Sequence, residues 1–246
     1  MDVDHLKKII ERADSSREPR IEMIKRISAT GLRLGVFASS FNPLTIAHLE
    51  LMKLAAEAFS LDEILALAGK SNADKMNYEC PLEDRLAMLE LTLAEYPRIS
   101  IGVASRGFYV DMIDALDVVY PRGTDLHFIV GFDTFERVLD VENRYTERYY
   151  RQFRSRLEAI EHLVSRSRLI VAGRDGSEFE SVKGLVEREL VLSFERVLYL
   201  DFPADLGQLS ATAVRKNRRE GMPITGLVPA RVEEYIQTHG LYIDVA

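Results

Sequence analysis

The sequence contains no tryptophan, a single cysteine and no long apolar run. Because the one cysteine, Cys80, has no partner within the chain, the sequence excludes an intramolecular disulfide and a zinc site built from several cysteines. An ordinary membrane-spanning helix, which needs about 20 apolar residues, is excluded as well. Residues 1–20, MDVDHLKKIIERADSSREPR, carry too many charges for a secretory signal peptide. We therefore predict a cytoplasmic protein with no membrane partner.

Positive charge is also scarce. The 32 Lys and Arg residues are outnumbered by 39 Asp and Glu residues, which leaves a formal net charge of −7. A surface of this kind does not attract a polyanion as a whole, so we predict no nucleic-acid partner, and local basic groups must hold any anionic ligand. The 246 residues suffice for one domain with a good core plus a small appendage. A homo-oligomer is left open.

Strand-like and helix-like segments alternate along most of the chain. The predicted strands are short and apolar, as buried parallel strands are, and cover Leu34–Phe37, Glu63–Ala68, Ile99–Val103, Leu126–Val130, Leu169–Ala172 and Val197–Leu200. The predicted helices are Ile46–Ala58, Leu82–Ala94, Val110–Val119, Glu147–Val164 and Val182–Glu189. This alternation predicts an α/β fold, a doubly wound Rossmann-like parallel sheet. Ligands of such sheets bind beyond the carboxyl ends of the strands, where the strand order reverses.

The segment before the first strand has a different pattern. Apolar residues recur at helical spacing in two parts of it, first Leu6, Ile9 and Ile10 and then Ile21, Ile24 and Ile27. We therefore predict a helical extension of one or two helices over residues 1–30, which packs on a main domain of residues 31–246. A helix that binds a partner is the alternative.

The loop after the first strand is the first place to look for a ligand. A run of small residues, Ala38 to Ser40, delivers the chain to a helix that carries Thr45 and His48 three positions apart. A helix N-terminus offers free N–H groups to an anion, and both side chains can donate to a phosphate oxygen. Neither G-x-G-x-x-G nor a P-loop is present, since AGKS at 68–71 has Ile64 where a P-loop needs glycine. For an isolated histidine, local packing is the commoner role.

A second loop that leads into a predicted helix lies near the other end of the chain, at LSATAVR, residues 209–215. Ser210 is a natural N-cap residue. Thr212 and Arg215 share a face of the helix, so hydroxyl groups, N–H groups and a guanidinium group converge, as a polyphosphate requires. Taken alone, this pattern is equally that of a capped surface helix.

Together the two stretches resemble a known family. SSFNPLTIAH, residues 39–48, resembles the signature G-S-F-[D/N]-P-x-[H/T]-x-G-H of the nucleotidyltransferase superfamily. LSATAVR resembles its second signature, I-S-[S/T]-T-x-[I/L]-R, and LVPARVEEYIQTHGLY follows it as in nicotinate and nicotinamide mononucleotide adenylyltransferases. The resemblance covers most of residues 32–243. It implies a nucleotidyltransferase domain that transfers AMP from ATP to a pyridine mononucleotide, with Mg²⁺ bound to the ATP and no protein metal site.

The resemblance also implies the site residues. Three are catalytic: His48 contacts the α-phosphate, and Thr45 and Arg215 hold the other phosphates. ATP is bound by these three and by Phe37, Ala38, Ser39, Gly131, Asp133, Arg174, Ser210 and Thr212. The second substrate is bound by Ser40, Phe41, Asn42, Lys75, Arg85 and Tyr109. Asp133 can equally cap the next helix, and Arg85 can instead tie its helix to a neighbour.

The sequence departs from the family pattern in three respects. Ser39 and Ala47 stand where relatives have glycine. Without tryptophan, the aromatic residue that stacks on the pyridine ring is one of Tyr145, Tyr149, Tyr150 and Phe153. The segment 138–167 mixes arginine and aromatic residues, which predicts an amphipathic helix and, as the alternative, an RNA-binding surface. Other activities therefore stay open: phosphopantetheine or cytidylyl transfer, or a nucleotide sensor without catalysis.

Overall fold

The computed structural model describes residues 3–14, 18–27, 33–69, 79–140, 152–173, 176–188 and 195–243. Their strands are β1 Ile21–Lys25, β2 Arg33–Ser39, β3 Glu63–Gly69, β4 Ile99–Ala104, β5 Asp125–Gly131, β6 Ser167–Gly173 and β7 Val197–Asp201. Their helices are α1 Val3–Asp14, α2 Ile46–Ala58, α3 Leu82–Leu93, α4 Tyr109–Val119, α5 Phe132–Leu139, α6 Arg156–Arg166, α7 Gly176–Arg188, α8 Ala204–Gly207, α9 Ala211–Arg219 and α10 Ala230–Thr238. The predicted α/β fold is confirmed.

One seven-stranded sheet has the order β1-β4-β3-β2-β5-β6-β7. Its neighbours from β4 to β7 are all parallel, and β1 pairs antiparallel with β4. Successive strands run outward from β2 to β4 on one side and from β5 to β7 on the other. The strand order therefore reverses between β2 and β5, which places a crevice beyond Ser39 and Gly131, the last residues of these two strands.

Helices cover both faces of the sheet and explain why its strands are so apolar. One buried cluster includes side chains of α1, α2, α3 and α10, and the other includes side chains of α4, α5, α6 and α7. The strand β3 between them is buried along Glu63–Ala68. A strand covered on both faces has no solvent side to carry polar residues, so its sequence after Glu63, which accepts a hydrogen bond from the Tyr120 hydroxyl, is a continuous apolar run.

The predicted helical extension over residues 1–30 is wrong in its second part. Residues Ile21–Lys25 form the edge strand β1, with Ile21 opposite Ala104 of β4. Ile21 and Met23 pack into one core cluster, whereas Ile24 packs against the other, which is the alternation of a strand. The helix α1 is confirmed, and a domain boundary at residue 30 stays a prediction.

The predicted long helix at Glu147–Val164 is also corrected at its start. The helix α6 begins at Arg156 and ends at Arg166, and residues 152–155 before it are not helical. Ser155 caps it, because its side chain accepts a hydrogen bond from the N–H of Glu158 at 3.2 Å. Residues 141–151 lie outside the described part of the chain. Among the described residues, no helix is both long and apolar enough to cross a membrane.

Candidate active site

A cleft of about 230 Å³ opens at the crevice between β2 and β5. Seven residues predicted to bind ATP or the second substrate line it: Phe37, Ala38, Ser39, His48, Tyr109, Gly131 and Asp133. Its remaining wall is mostly apolar and includes Ala47 and Leu51 of α2, Ala172 of β6, Phe202, Leu206 and Leu209. The cleft thus combines an apolar wall that suits a flat base with a few polar groups such as His48 and Asp133.

His48 is held at the cleft by a reciprocal cap at the start of α2. The N–H of Thr45 donates to Nδ1 of His48 at 3.0 Å, and Oγ1 of Thr45 accepts from the N–H of His48 at 3.3 Å. A backbone N–H can only donate, so Nδ1 must be the acceptor and the proton of the neutral ring lies on Nε2. His48 therefore presents an N–H donor from a fixed ring.

The same cap defines where Thr45 lies. Thr45 is fully buried, and its Oγ1 lies 2.9 Å from Nδ1 of His48. In the first turn of α2, Ile46 donates its N–H to Leu227 O at 3.0 Å, while the next residue, Ala47, lies in the cleft wall. The phosphate contact predicted for Thr45 stays a prediction. Its hydroxyl contributes to the orientation of the His48 ring.

The loop between β2 and α2 is held by hydrogen bonds from three long side chains. Arg85 Nη1 donates to Ser40 O at 2.6 Å, Arg215 Nη1 donates to Asn42 O at 2.6 Å, and the Tyr242 hydroxyl donates to Asn42 Oδ1 at 2.8 Å. These bonds are shielded from water, since Arg85 is 2% exposed and Asn42 is 4% exposed. Buried hydrogen bonds of this kind make the loop rigid.

Phe41, at the centre of this loop, has φ of 43° and is fully buried. A bulky residue seldom adopts positive φ, so the surrounding hydrogen bonds hold it there. Its ring packs 5.5 Å from the ring of His48. Three residues predicted to bind the second substrate, Phe41, Asn42 and Arg85, are thus buried in the support of the loop, and their contact with substrate stays a prediction.

The C-terminal motif meets this loop in space. Ser210 caps α9 by accepting from the N–H of Ala213 at 3.1 Å, directly after Leu209 in the cleft wall. Arg215 is 8% exposed, and its Nη2 donates to Thr212 Oγ1 at 3.2 Å. The bond from Arg215 to Asn42 spans 173 residues of sequence. The two motifs that share a pattern in the sequence therefore share one place in the fold.

Comparison with known proteins decides the family. The family described as cytidylyltransferase-like matches residues 36–217, about three quarters of the chain. The chain belongs to the cytidylyltransferase-like family. The predicted resemblance to a nucleotidyltransferase is confirmed.

Individual relatives within the family can be compared over nearly their whole length. The chain is 27% identical to a probable nicotinate-nucleotide adenylyltransferase of Geobacter sulfurreducens, with 86% of this chain and 98% of the relative covered. It is 29% identical to the probable enzyme of the same name from Gemmatimonas aurantiaca, with 86% and 92% covered. A solved structure of Plasmodium falciparum nicotinic acid mononucleotide adenylyltransferase, complexed with NaAD, has a TM-score of 0.60 at 16% identity and covers 85% of this chain and 97% of its own. At that identity the structural match supports the shared fold.

The residues predicted to bind the second substrate differ in where the structure places them. Tyr109 lines the cleft and packs edge to face on Phe128 with ring centroids 5.1 Å apart. Burial raises the pKa of the Tyr109 hydroxyl, so this group stays protonated. Phe153, one candidate for stacking on the pyridine ring, packs against His162 with centroids 5.1 Å apart. Lys75, Arg174, Tyr145, Tyr149 and Tyr150 lie outside the described residues.

Sequence reasoning missed several residues of the cleft and its support. Glu178 of α7 and the apolar residues Phe202 and Leu206 line the cleft, and Tyr242 supports the loop. No local pattern distinguishes Glu178 from the neighbouring acidic residues of α7. Among the described residues, no cluster of three His, Cys, Asp or Glu side chains is placed to hold a metal ion.

Burial of His48 leads to a prediction on pH. Desolvation lowers the pKa of His48 from 6.5 to about 4. Between these two values the unfolded chain binds a proton at His48 and the folded chain does not, so the free energy of unfolding falls as pH decreases through this window. We expect the wild type to lose more stability than His48→Gln between about pH 7 and about pH 5 in urea unfolding. If the free energy of unfolding fell equally in the two proteins, the lowered pKa of His48 would be contradicted.

Proposed function

We propose that the chain joins the AMP moiety of ATP to nicotinate mononucleotide, giving a dinucleotide of NAD biosynthesis and pyrophosphate. The observation that carries this proposal is the nearly complete alignment with relatives named nicotinate-nucleotide adenylyltransferase, which spans 98% of the Geobacter sulfurreducens protein. The cleft supports it as well, because His48 in the first turn of α2 and Leu209 just before the cap of α9 line the cleft at the switch point of the sheet.

The reaction needs little covalent help from the protein. A phosphate oxygen of the mononucleotide attacks the α-phosphorus of ATP, the bond from this phosphorus to the bridging oxygen of the β-phosphate breaks, and pyrophosphate leaves with that oxygen. A phosphate ester is already anionic at neutral pH, so no general base is required. Catalysis then rests on positioning and on neutralising charge at the α-phosphate.

Nε2–H of His48 is the donor that we assign to the α-phosphate. Its ring is fixed by the cap with Thr45, so the hydrogen bond is available without reorganisation as negative charge grows in the transition state. The N–H of Ala47 and the positive end of the α2 dipole add to it. Arg215, Thr212 and Ser210 lie at the other helix start, where they would hold the β- and γ-phosphates. Mg²⁺ would enter bound to ATP and retain most of its waters.

The apolar part of the cleft would hold the adenine, with Asp133 and Glu178 as acceptors for amino or hydroxyl groups of the nucleoside. Tyr109 would contact the second substrate from the opposite side of the crevice. We take nicotinate rather than nicotinamide mononucleotide as this substrate from the names of the relatives. A cytoplasmic location stays a prediction.

Product analysis tests the proposal. The full chain is incubated with Mg-ATP and, separately, with nicotinate mononucleotide, nicotinamide mononucleotide or phosphopantetheine, and products are identified by mass. A parallel series replaces ATP with cytidine triphosphate. We expect nicotinate adenine dinucleotide and pyrophosphate as the main products. A preference for phosphopantetheine or for cytidine triphosphate would overturn the proposal, and so would ATP binding without pyrophosphate release.

A further inference from the structure

Two arginines of α9 share a single acidic partner. Arg215 and Arg219 are four positions apart and therefore lie on one face of the helix. Glu79 lies between them, with its Oε1 3.4 Å from Nε of Arg215 and its Oε2 2.6 Å from Nη1 of Arg219. One carboxylate thus faces two guanidinium groups, which leaves the cluster of Glu79, Arg215 and Arg219 with a net charge of +1.

The three members of this cluster differ in how firmly they are held. The side chain of Arg215 is 10% exposed and is fixed by Asn42 O and Thr212 Oγ1, which are neutral acceptors. The side chain of Glu79 is 48% exposed, and that of Arg219 is 34% exposed. Exposed ion pairs are weak because water and salt screen them. The Glu79 carboxylate is therefore the member that another anion can most easily replace.

The cluster is connected to the cleft through α9 and through the loop after β2. Its helix, α9, is capped by Ser210, which directly follows the cleft residue Leu209. Arg215 also contacts Asn42, three residues before the cap of α2. A polyphosphate that starts at His48 and extends along α9 would reach Arg215 first and Arg219 one turn later.

We propose that Arg219 extends the polyphosphate site of Arg215 and that the Glu79 carboxylate competes with the polyphosphate for both arginines. This inference rests on the proposed function for the identity of the ligand as ATP. Arginine binds phosphate through paired N–H donors, and a triphosphate offers more charge and more acceptor oxygens than one carboxylate. If this proposal is wrong, Arg219 is an ordinary residue of the helix surface, paired with Glu79.

If Glu79 competes with polyphosphate, its removal should increase the affinity for polyphosphate. If Glu79 has only a structural role, its removal should not increase that affinity. We expect Glu79→Gln to bind Mg-ATP and inorganic tripolyphosphate about three- to fivefold more tightly than the wild type, as follows from the strength of a surface ion pair. AMP, which lacks the β- and γ-phosphates, is expected to bind the two proteins equally. Arg219→Gln should weaken Mg-ATP and tripolyphosphate by a similar factor and leave AMP unchanged. Titration calorimetry of the full chain measures all of these.

Glu220→Gln is the matched control. It removes the same charge at the C-terminal end of α9, where Glu220 lies 4.0 Å from Lys216, whereas the ion pairs of Arg215 and Arg219 within the described residues are with Glu79. We expect its affinity for tripolyphosphate to equal that of the wild type, and a gain equal to that of Glu79→Gln would mean that net charge alone acts. Equal or weaker tripolyphosphate binding by Glu79→Gln overturns the competition.

The outcomes also separate this inference from the proposed function. If the wild type forms the dinucleotide and Glu79→Gln binds polyphosphate no more tightly, only the inference fails. If Glu79→Gln gains affinity for tripolyphosphate but no dinucleotide forms, only the proposed function fails. If the wild type binds neither Mg-ATP nor tripolyphosphate, both are wrong.

Discussion

His48→Ala is expected to lower kcat by about 100- to 1000-fold, which is the usual effect of removing one preorganised donor from a developing charge. The lost group is the Nε2–H donor, whose orientation the Thr45 N–H fixes through Nδ1 at 3.0 Å. The measurement is the steady-state rate of pyrophosphate release with saturating Mg-ATP and nicotinate mononucleotide. Near-normal turnover in this variant would show that His48 has only a structural role.

His48→Gln is the control that separates catalysis from capping. His48 occupies the third helical position of α2, where glutamine can accept the N–H of the cap residue as histidine does. We expect His48→Gln to keep the stability of the wild type and His48→Ala to lose about 1 kcal/mol of free energy of unfolding, as for other lost caps. Both variants should lose turnover to a similar extent. Loss of turnover in His48→Ala alone would assign the effect to the cap.

Arg215→Ala is expected to lower kcat/KM for ATP by at least about 10-fold, since it removes the proposed charge-assisted phosphate contact of about 1.5–3 kcal/mol and also the support of the loop after β2. The Asn42 carbonyl, which accepts from Arg215 at 2.6 Å, would lose this buried partner. A buried acceptor left unsatisfied costs about 1–3 kcal/mol, so the variant should also unfold at lower denaturant concentration. Kinetics at varied ATP and urea unfolding measure the two effects.

Two further variants separate the proposed phosphate contact of Arg215 from its support of the loop after β2. Arg215→Lys keeps the charge but cannot donate to Asn42 O and Thr212 Oγ1 from one planar group, so we expect it to recover only part of kcat/KM. Tyr242→Phe removes the hydroxyl that donates to Asn42 Oδ1 and leaves every phosphate contact in place. It should reduce stability and affect kcat far less than Arg215→Ala. Unchanged kcat/KM in Arg215→Ala would exclude α9 from the site.

Much of the fold could be predicted because its strands are buried on both faces. Six short apolar segments correspond to β2 through β7, and the position of α2 is reproduced at both ends. Prediction failed at β1, where Ile21 and Ile24 recur at a spacing typical of a helix. An edge strand contacts both core clusters through alternate residues, and a sequence with isoleucine at every third position matches either period.

The site could be located from the sequence, but its internal hydrogen bonds could not. Spacing placed Thr45 and His48 on one helical face and suggested that both donate to phosphate. In the structure they bond to each other, and this pairing fixes the histidine tautomer. The sequence did not predict this capping box, because the third helical position of a capping box is usually Glu or Gln rather than His. Likewise, no local pattern links Asn42 to Tyr242, which is 200 residues away.

The support of the loop after β2 has a consequence for the order of folding. The loop receives hydrogen bonds from Arg85, from Arg215 and from Tyr242, so its partners are spread over the chain from the third helix to the last described residues. Domains assemble from the N-terminus during synthesis, and contacts across such sequence distances form late because the intervening chain must first be ordered. A nascent chain that already contains every strand of the sheet therefore still lacks two of the three bonds that shape its active-site loop. The helix α9 and the segment after α10 must therefore be synthesised before all three hydrogen bonds can hold this loop in place.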